Sequence, residues 1–122
     1  MTRIALPYAA PPLTKNQVRR MHYRTEAKAR KQIMHTVALL ARETEKREAA
    51  IVILHWRMAD RRRRDGDGAA PTLAACIDGL VEAGVLPDDS WQYVRHSGVT
   101  CHPPEPGSPG AMWLSIDPVP TT

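Results

Sequence analysis

Cysteine is scarce in this chain, with only Cys76 and Cys101 among its 122 residues. Two cysteines are too few for a disulfide framework, but a chain of this length can bury an apolar core without one. No apolar run approaches the roughly 18–20 residues that a membrane-spanning helix needs. Residues 1–6 hold one arginine and a very short apolar stretch, too little for a secretory signal. We therefore expect one domain over residues 1–122, in a reducing cytoplasm and without a membrane partner.

Several familiar active-site motifs are also missing. Gly66 and Gly68 lack the Lys-Ser/Thr pair that would follow the glycines of a phosphate-binding P-loop. His96, Cys101 and His102 are close in sequence, but no second pair completes a zinc spacing. The serines and histidines show no spacing typical of a catalytic triad. This absence is weak evidence, because the fold, not the sequence, brings triad residues together. Nothing in the sequence calls for a small-molecule cofactor.

Positive charge is abundant and unevenly distributed. The net charge is +4, the pI is about 9.4, and arginines outnumber lysines thirteen to four. Arginine favours bidentate contact with phosphate. Most of the cations form two clusters, a basic segment at residues 15–31 and an arginine run at 61–64, and two basic clusters on a small domain are typical of a nucleic-acid footprint. The alternative is a generally basic surface without a specific partner. The cations expected to contact phosphate are Lys15, Arg19, Arg20, Arg24, Lys28, Arg61, Arg62, Arg63 and Arg64.

The hydrophobic pattern predicts an α/β fold with the order β-α-β-α-β-β and a mixed sheet packed by two helices. Strands are expected at 3–8, 50–58, within 91–100 and at 112–116, helices at 25–47 and 71–83, loops at 9–16 and 102–110, and a frayed tail from about 118. The strand at 50–58 is continuously apolar at its start, as in a central strand. Pro71 is suited to the first turn of the second helix and Gly84 to its end.

Apolar spacing also predicts which side chains are buried. In the first helix the expected stripe comprises Ala27, Arg30, Ile33, Met34, Val37, Ala38, Leu40 and Ala41. In the second helix it comprises Leu73, Cys76, Ile77, Leu80 and Val81. Trp56 and Trp113 are expected in the core. Trp91 is compatible with the core, a dimer contact or a wedge against DNA bases, and His22 and Tyr23 with helix packing or with nucleic-acid contact.

Two acidic pairs flank the second helix. Asp65 and Asp67 follow the arginine run, and carboxylates two apart on an extended segment point to the same side. The second helix brings the chain back towards them, so the Asp88-Asp89 pair that follows it can supply a third ligand for a cation. Clustered carboxylates suit Mg²⁺ or Mn²⁺, and the neighbouring arginines suit a polyanion. The pattern predicts metal-dependent chemistry on a phosphodiester, although Asp-Gly-Asp-Gly is also good turn sequence.

Residues 62–91 resemble the RusA family of Holliday-junction resolvases, which is common in bacteriophages and prophages. The similarity lies in Arg-Asp-Gly-Asp, a helix ending in Asp-Gly-Leu, an Ala-Gly-Val turn and then Asp-Asp. The proline-rich start, the basic first helix, the strand before the arginines and a closing β-hairpin match in outline across nearly the whole chain.

The resemblance implies a homodimeric, Mg²⁺-dependent endonuclease that nicks four-way DNA junctions on two opposed strands. It would act in recombination and repair, in the cytoplasm of a bacterium or of a phage-infected cell. Asp65, Asp67 and Asp89 would be the metal-binding carboxylates, with Asp88 close by. Arg64 would contact backbone phosphate or stabilise its developing charge.

The chain departs from the family pattern at two positions. Gly68 stands where the family usually has asparagine after the second aspartate, and Ala74 stands where it carries a helical lysine. Loss of a positioned cation is expected to cost ~10²-fold in rate or more. One alternative is therefore a protein that binds junctions while cutting slowly or not at all. Another is an unrelated interaction protein whose aspartates only cap and turn the chain.

Overall fold

A computed structural model describes residues 2–120. In chain order the elements are strand β1 (Thr2–Leu6), helices α1 (Lys15–Arg20) and α2 (Tyr23–Leu40), strand β2 (Ala50–Arg57), a 3₁₀ turn (Gly66–Ala69), helix α3 (Ala70–Glu82), and strands β3 (Val94–His102) and β4 (Ala111–Asp117). None of these helices combines the length and the apolar character needed to cross a bilayer. The end of the predicted frayed tail, residues 121–122, lies outside the described residues.

The four strands form one mixed sheet in the order β1-β4-β2-β3. Strand β2 pairs parallel with β3 and antiparallel with β4, and β4 also pairs antiparallel with β1. The prediction of a small α/β domain with a mixed sheet and an interior strand at 50–58 is confirmed.

The expected closing hairpin is wrong, because β3 and β4 lie on opposite sides of β2. The segment between them, 103–110, therefore crosses the end of β2. Gly110 makes this crossing possible, since a Cβ at this position would collide with the carbonyl oxygen of Ala9 and lie 3.1 Å from that of Arg57. The close approach of two backbones is a long-range property that local sequence does not encode.

The core lies on the face of the sheet that the helices cover. Alternate residues of β2 are buried there: Ala50, Val52, Leu54 and Trp56. Helix α3 contacts β2 and β3, and α2 packs against α3. Burial therefore extends around most of α3, and the prediction that Cys76 is buried is confirmed. Burial raises the pKa of the Cys76 thiol to about 12, so the thiol stays protonated and inert at neutral pH.

A glycine sets the distance between α2 and α3. A Cβ on Gly79 would lie 2.6 Å from the Val37 Cβ and 2.7 Å from the Met34 carbonyl oxygen. The helix then ends where the sequence predicted, since Gly84 has a φ of +81° and Val85 N–H donates to the Leu80 carbonyl.

The first helical region differs from the prediction in extent. It comprises two helices, and α2 ends at Leu40, seven residues before the predicted end at residue 47. Ile33, Val37 and Ala41 are buried as predicted, and Met34 and Ala38 are half-buried. The burial predicted for Ala27, Arg30 and Leu40 is wrong, because all three are exposed. Helix α2 packs against α3 over part of its length, so periodicity overstated the width of its buried face.

Candidate functional site

Asp65 and Asp67 line a cavity of about 570 Å³ together with four cations. The cations are Lys15, Arg19, Arg63 and Arg64. Thr14, Asn16 and Gly68 complete the rim, and Trp56, which is only 7% exposed, closes it against the core. One cavity therefore combines two carboxylates with basic residues from both predicted clusters.

The segment before α1 is tied to α3 by a buried threonine. Thr72 Oγ1 donates to the Leu13 carbonyl oxygen at 2.7 Å and accepts from Leu13 N–H at 3.2 Å. Thr14 then begins α1 with a capping box, accepting from Gln17 N–H while the Gln17 side chain accepts from Thr14 N–H. These contacts fix the start of α1 beside the aspartates.

The consequence of this anchoring is an ion pair across the cavity. Lys15 Nζ lies 3.0 Å from Asp67 Oδ2, with the two side chains 46% and 75% exposed. A pair so open to water contributes little to stability, in the range of ~0–1 kcal/mol. The main effect of this ion pair is therefore to orient the Lys15 and Asp67 side chains in the cavity, and it adds little to the stability of the fold.

The backbone at the aspartates differs from the predicted extended segment. Asp65 is extended, with φ −91° and ψ 119°, but Asp67 lies within the 3₁₀ turn. Gly68 N–H donates to the Asp65 carbonyl at 3.0 Å, which closes that turn. The premise of a fully extended Asp-x-Asp is therefore wrong, although both side chains line the same cavity.

Asp60 organises the arginine run. Its carboxylate accepts from Arg64 Nη2 at 2.6 Å and from Arg62 N–H at 3.0 Å, and Arg64 Nη1 donates to the carbonyl oxygens of Asp60 and Arg62. The hydrogen bond from Arg62 N–H, followed by that from Arg64, lowers the pKa of the Asp60 carboxyl below its ordinary value. Arg64 is thereby held in one direction, with a quarter of its side chain exposed.

The other predicted DNA-binding cations are distributed more widely. Arg61 lines a separate cavity beside residues 104–108, and the Arg62 side chain is 84% exposed with Nε 3.5 Å from Asp60 Oδ2. Arg20, Arg24 and Lys28 are exposed on α1 and α2 and do not line the acidic cavity. Within the basic segment of residues 15–31, the structure thus brings Lys15 and Arg19 to the aspartates.

Asp89, the third predicted ligand, lines a different cavity of about 360 Å³. Arg30 and Asp78 line it too, with Arg30 Nη2 3.7 Å from Asp78 Oδ2. Burial raises the pKa of the Asp78 carboxyl above its ordinary value; the Asp89 charge adds to the rise and Arg30 opposes it. Asp88 is exposed and lines neither cavity.

Within residues 2–120, no three His, Cys, Asp or Glu side chains are close enough together to hold a metal ion. One chain therefore brings two of the predicted carboxylates, Asp65 and Asp67, to a common cavity. Such a pair fits Mg²⁺, which is commonly held by one or two carboxylates and completes its shell with water and substrate phosphate. The ligand prediction for Asp88 and Asp89 stays a prediction.

The two departures from the family pattern fall in different places. Gly68 lies on the rim of the cavity with Asp65 and Asp67, and nothing within 4 Å would obstruct a Cβ there. Ala74 lines the cavity of Asp89 instead. A lysine at position 74 would therefore project from the Asp89 side, whereas the cations at the acidic cavity come from α1 and the arginine run.

Aromatic and histidine side chains occupy the other face of the sheet. The prediction of Trp113 in the core is wrong, since it is half-buried and stacks on His55 with 2° between the rings. His55 Nδ1 is 2.9 Å from His102 Nε2, and His55 Nε2 is 2.8 Å from Ser115 Oγ. Burial, then the neighbouring His102 and Arg3, lower the pKa of His55. Cys101 instead faces Gly66, so it does not join His102.

The remaining aromatic predictions resolve in part. Trp91 is 73% exposed, which excludes the core of this chain and leaves a partner contact or a DNA wedge. His22 begins α2 by accepting from Arg24 N–H at 3.1 Å and stacks on Tyr23. His22 therefore caps the start of α2, and contact of His22 or of Tyr23, which is 66% exposed, with nucleic acid stays a prediction.

Sequence reasoning missed the residues that position the site. Thr14-x-x-Gln17 is a readable capping-box signal, and Asp60 directly before the arginines is a readable turn signal. Thr72 gave no such signal, because its partner Leu13 is 59 residues away.

No protein-family model matches the chain, and no curated protein is significantly similar to it.

Proposed function

We propose that this chain is a Mg²⁺-dependent endodeoxyribonuclease of RusA type that acts on four-way DNA junctions. The observation that carries the proposal is the single cavity in which Asp65 and Asp67 meet four cations. A site for a neutral or cationic substrate would not need such an excess of positive charge. A phosphodiester beside a divalent cation needs both the carboxylates and the cations.

The proposed role of each charged side chain follows from its position in the cavity and from the contacts that hold it. Asp65 and Asp67 would hold the cation, and Mn²⁺ can replace Mg²⁺ with the same oxygen ligands. A bound Mg²⁺ would supply a Lewis acid for the phosphate and lower the pKa of a coordinated water. Arg64 is aimed by Asp60 before any substrate arrives, so it can stabilise charge on the phosphate oxygens without reorganisation.

Lys15, Arg19 and Arg63 would bind the flanking backbone. They come from two segments that meet at the cavity, so a strand passing between α1 and the arginine run would be contacted from both sides. Contacts of this kind position DNA without reading bases, and selectivity would then come from junction shape.

We further propose that the active form is a homodimer in the cytoplasm of a bacterium or of a phage-infected cell. A four-way junction has twofold-related strands, and a C₂ dimer would present one acidic cavity to each. Asp89 would take part in metal binding only if a second copy or a local rearrangement brings it to Asp65 and Asp67.

The first experiment compares a synthetic four-way junction with a linear duplex of the same sequence. Each is incubated with purified protein in Mg²⁺ or EDTA, and products are resolved on a denaturing gel. The proposal predicts paired nicks on opposed strands of the junction, only with Mg²⁺. Equal cutting of the linear duplex would contradict junction selectivity. The absence of cutting under every condition would contradict the proposed nuclease activity.

A second experiment tests the ligand set. Asp89→Asn is compared with Asp65→Asn in junction cleavage across a Mg²⁺ titration. An equal rise in the Mg²⁺ requirement for both variants would place Asp89 at the cation. Cleavage by Asp89→Asn at the wild-type Mg²⁺ dependence would restrict the ligands to the two aspartates that share a cavity.

A non-catalytic junction-binding protein is the second candidate function. Two observations favour it: no third carboxylate joins Asp65 and Asp67 within residues 2–120, and Gly68 leaves part of the rim without a side chain. This candidate predicts tight junction binding that Mg²⁺ leaves unchanged, with no nicks. An interaction protein unrelated to DNA would instead show no salt-dependent DNA affinity.

A further inference from the structure

A second basic cleft lies at the opposite end of the sheet from the acidic cavity. It measures about 560 Å³ and is lined by the segment before β2, the start of β3 and the residues after β4. Its charged residues are Lys46, Arg47, Arg95 and Glu48. None of its three cations forms an ion pair with a carboxylate within residues 2–120.

The cleft is built on fixed backbone. Arg47 N–H donates to the Val85 carbonyl at 2.8 Å, and Ala50 N–H donates to the Tyr93 carbonyl at 2.8 Å. Arg47 Nη2 donates to Thr2 Oγ1 at 3.2 Å, so Arg47 also ties the cleft to β1. The Arg47 Nε is buried without a hydrogen-bond partner. The Arg47 side chain is therefore held by the fold, and the backbone hydrogen bonds of Arg47 and Ala50 fix the segments that carry Lys46 and Arg95 beside it.

A break in the strand register places Arg95. Ala50 is opposite Val94, but the next residue, Ile51, is opposite His96, so Arg95 is the extra residue of a bulge. Bulges redirect a side chain relative to the regular alternation of a strand, and they are enriched beside functional sites. The bulge here adds an arginine to a cleft that already contains two cations.

We infer that this cleft binds the phosphate backbone of DNA at a second point, through Lys46 and Arg95. The inference rests on DNA as the substrate of the proposed function, and it adds a separate surface to that function. Strand β2 has eight residues, so the cleft lies about 25 Å from the acidic cavity at ~3.3 Å per residue. This separation corresponds to about seven base pairs along a duplex axis at 3.4 Å per pair, so one continuous duplex arm or two arms of a branched DNA can contact both sites.

The test measures binding of a fluorescent four-way junction by anisotropy in EDTA, at several NaCl concentrations. The variant Lys46→Gln/Arg95→Gln removes two phosphate contacts, and the slope of log Kd against log salt should fall by about 2, at ~0.9 per contact. Lys46→Arg/Arg95→Lys keeps both charges and should retain the wild-type slope. Arg42→Gln, at an exposed position outside the cleft, is the control for Arg95→Gln. Arg47 is left intact because it bonds to Thr2.

A wild-type slope in the double variant, or an equal loss in Arg42→Gln and Arg95→Gln, would overturn the inference. Binding of inorganic phosphate that the double variant loses, with unchanged DNA binding, would overturn it in favour of a small phosphate ligand. This test is independent of the proposed nuclease activity. The double variant can show the expected fall in slope even if the wild-type protein makes no nicks. Absence of any DNA binding by the wild type would overturn both.

Discussion

Lys15 and Asp67 are 52 residues apart in the sequence, yet Lys15 Nζ lies 3.0 Å from Asp67 Oδ2. The pair joins the first turn of α1 to the 3₁₀ turn before α3. An ammonium group thus neutralises a carboxylate that is a predicted metal ligand. Binding of a divalent cation at Asp67 would compete with Lys15 and release it towards a phosphate.

This competition can be measured directly. Lys15→Gln should bind Mn²⁺ several-fold more tightly in the absence of DNA, because Asp67 no longer has to exchange one cation for another. Isothermal titration calorimetry gives the affinity. Lys28→Gln, which removes an exposed charge away from the cavity, should leave the affinity near wild type. Weaker or unchanged Mn²⁺ binding in Lys15→Gln would show that the pair does not compete with the metal.

Asp60 is expected to act by positioning Arg64. Asp60→Asn keeps the shape of the side chain and can still accept from Arg62 N–H, but it loses the ionic partner of Arg64. Single-turnover junction cleavage should slow by about 10-fold, less than the ~10²-fold expected for removal of a cation, because Arg64 loses its orientation but not its charge. Junction affinity should change less than two-fold, since Arg64 keeps its charge. A proportional loss of affinity and rate would assign Asp60 a general structural role instead.

Gly79 should be intolerant of even one methyl group. Alanine normally favours a helix by ~1 kcal/mol over glycine, but here its Cβ would lie 2.6 Å from the Val37 Cβ. We expect Gly79→Ala to lower the free energy of unfolding by about 1–3 kcal/mol, measured by urea denaturation. Gly68→Ala, with open space around its Cβ, is the control and should be near neutral. Val37→Gly removes the Cβ that the new methyl group would meet, so its combination with Gly79→Ala should destabilise by less than the sum of the two single changes. Strict additivity would contradict the assigned contact.

His55 is expected to make stability depend on pH. Its pKa is lowered in the folded chain by burial, then by His102 and Arg3, while Asp117 opposes the shift. The unfolded chain therefore binds a proton more readily, and stability falls as the pH drops through about 6.5, levelling off below the folded-state pKa. His55→Gln should flatten this part of the profile. Denaturation between pH 8 and pH 5 measures it, and NMR titration of the imidazole should give a midpoint below 6.5.

The sequence predicted those elements whose pattern is local. Strand β2 and helix α3 were placed within one residue because each carries a clear apolar period between strong turn signals. Helix α1 was missed, although Thr14 and Gln17 form a capping box, because six residues are too short for a periodic signal. The interior position of β2 followed from its continuous apolar run, and the mixed sheet from the predicted order of strands and helices.

The part that could not be predicted depends on long-range contacts. Nothing local indicates that β4 pairs with β1 and β2 rather than with β3, and this pairing makes the expected hairpin wrong. The motif of Asp65 and Asp67 beside basic residues was visible in the sequence. The sequence did not show which cations line the cavity of these aspartates. Lys15 lies there because Thr72 holds Leu13, just before α1, against α3. The separation of Asp89 into another cavity was equally hidden.

The most direct test of the central claim compares wild type with Asp67→Asn on the same four-way junction, in Mg²⁺. The account predicts that the wild type makes paired nicks and that Asp67→Asn makes none. The variant should bind the junction at least as tightly, because Lys15 is freed and a negative charge is removed. Circular dichroism establishes that the variant is folded. Nicking by Asp67→Asn at the wild-type rate, or loss of junction binding in a folded variant, would contradict the assignment of this cavity as a metal-dependent nuclease site.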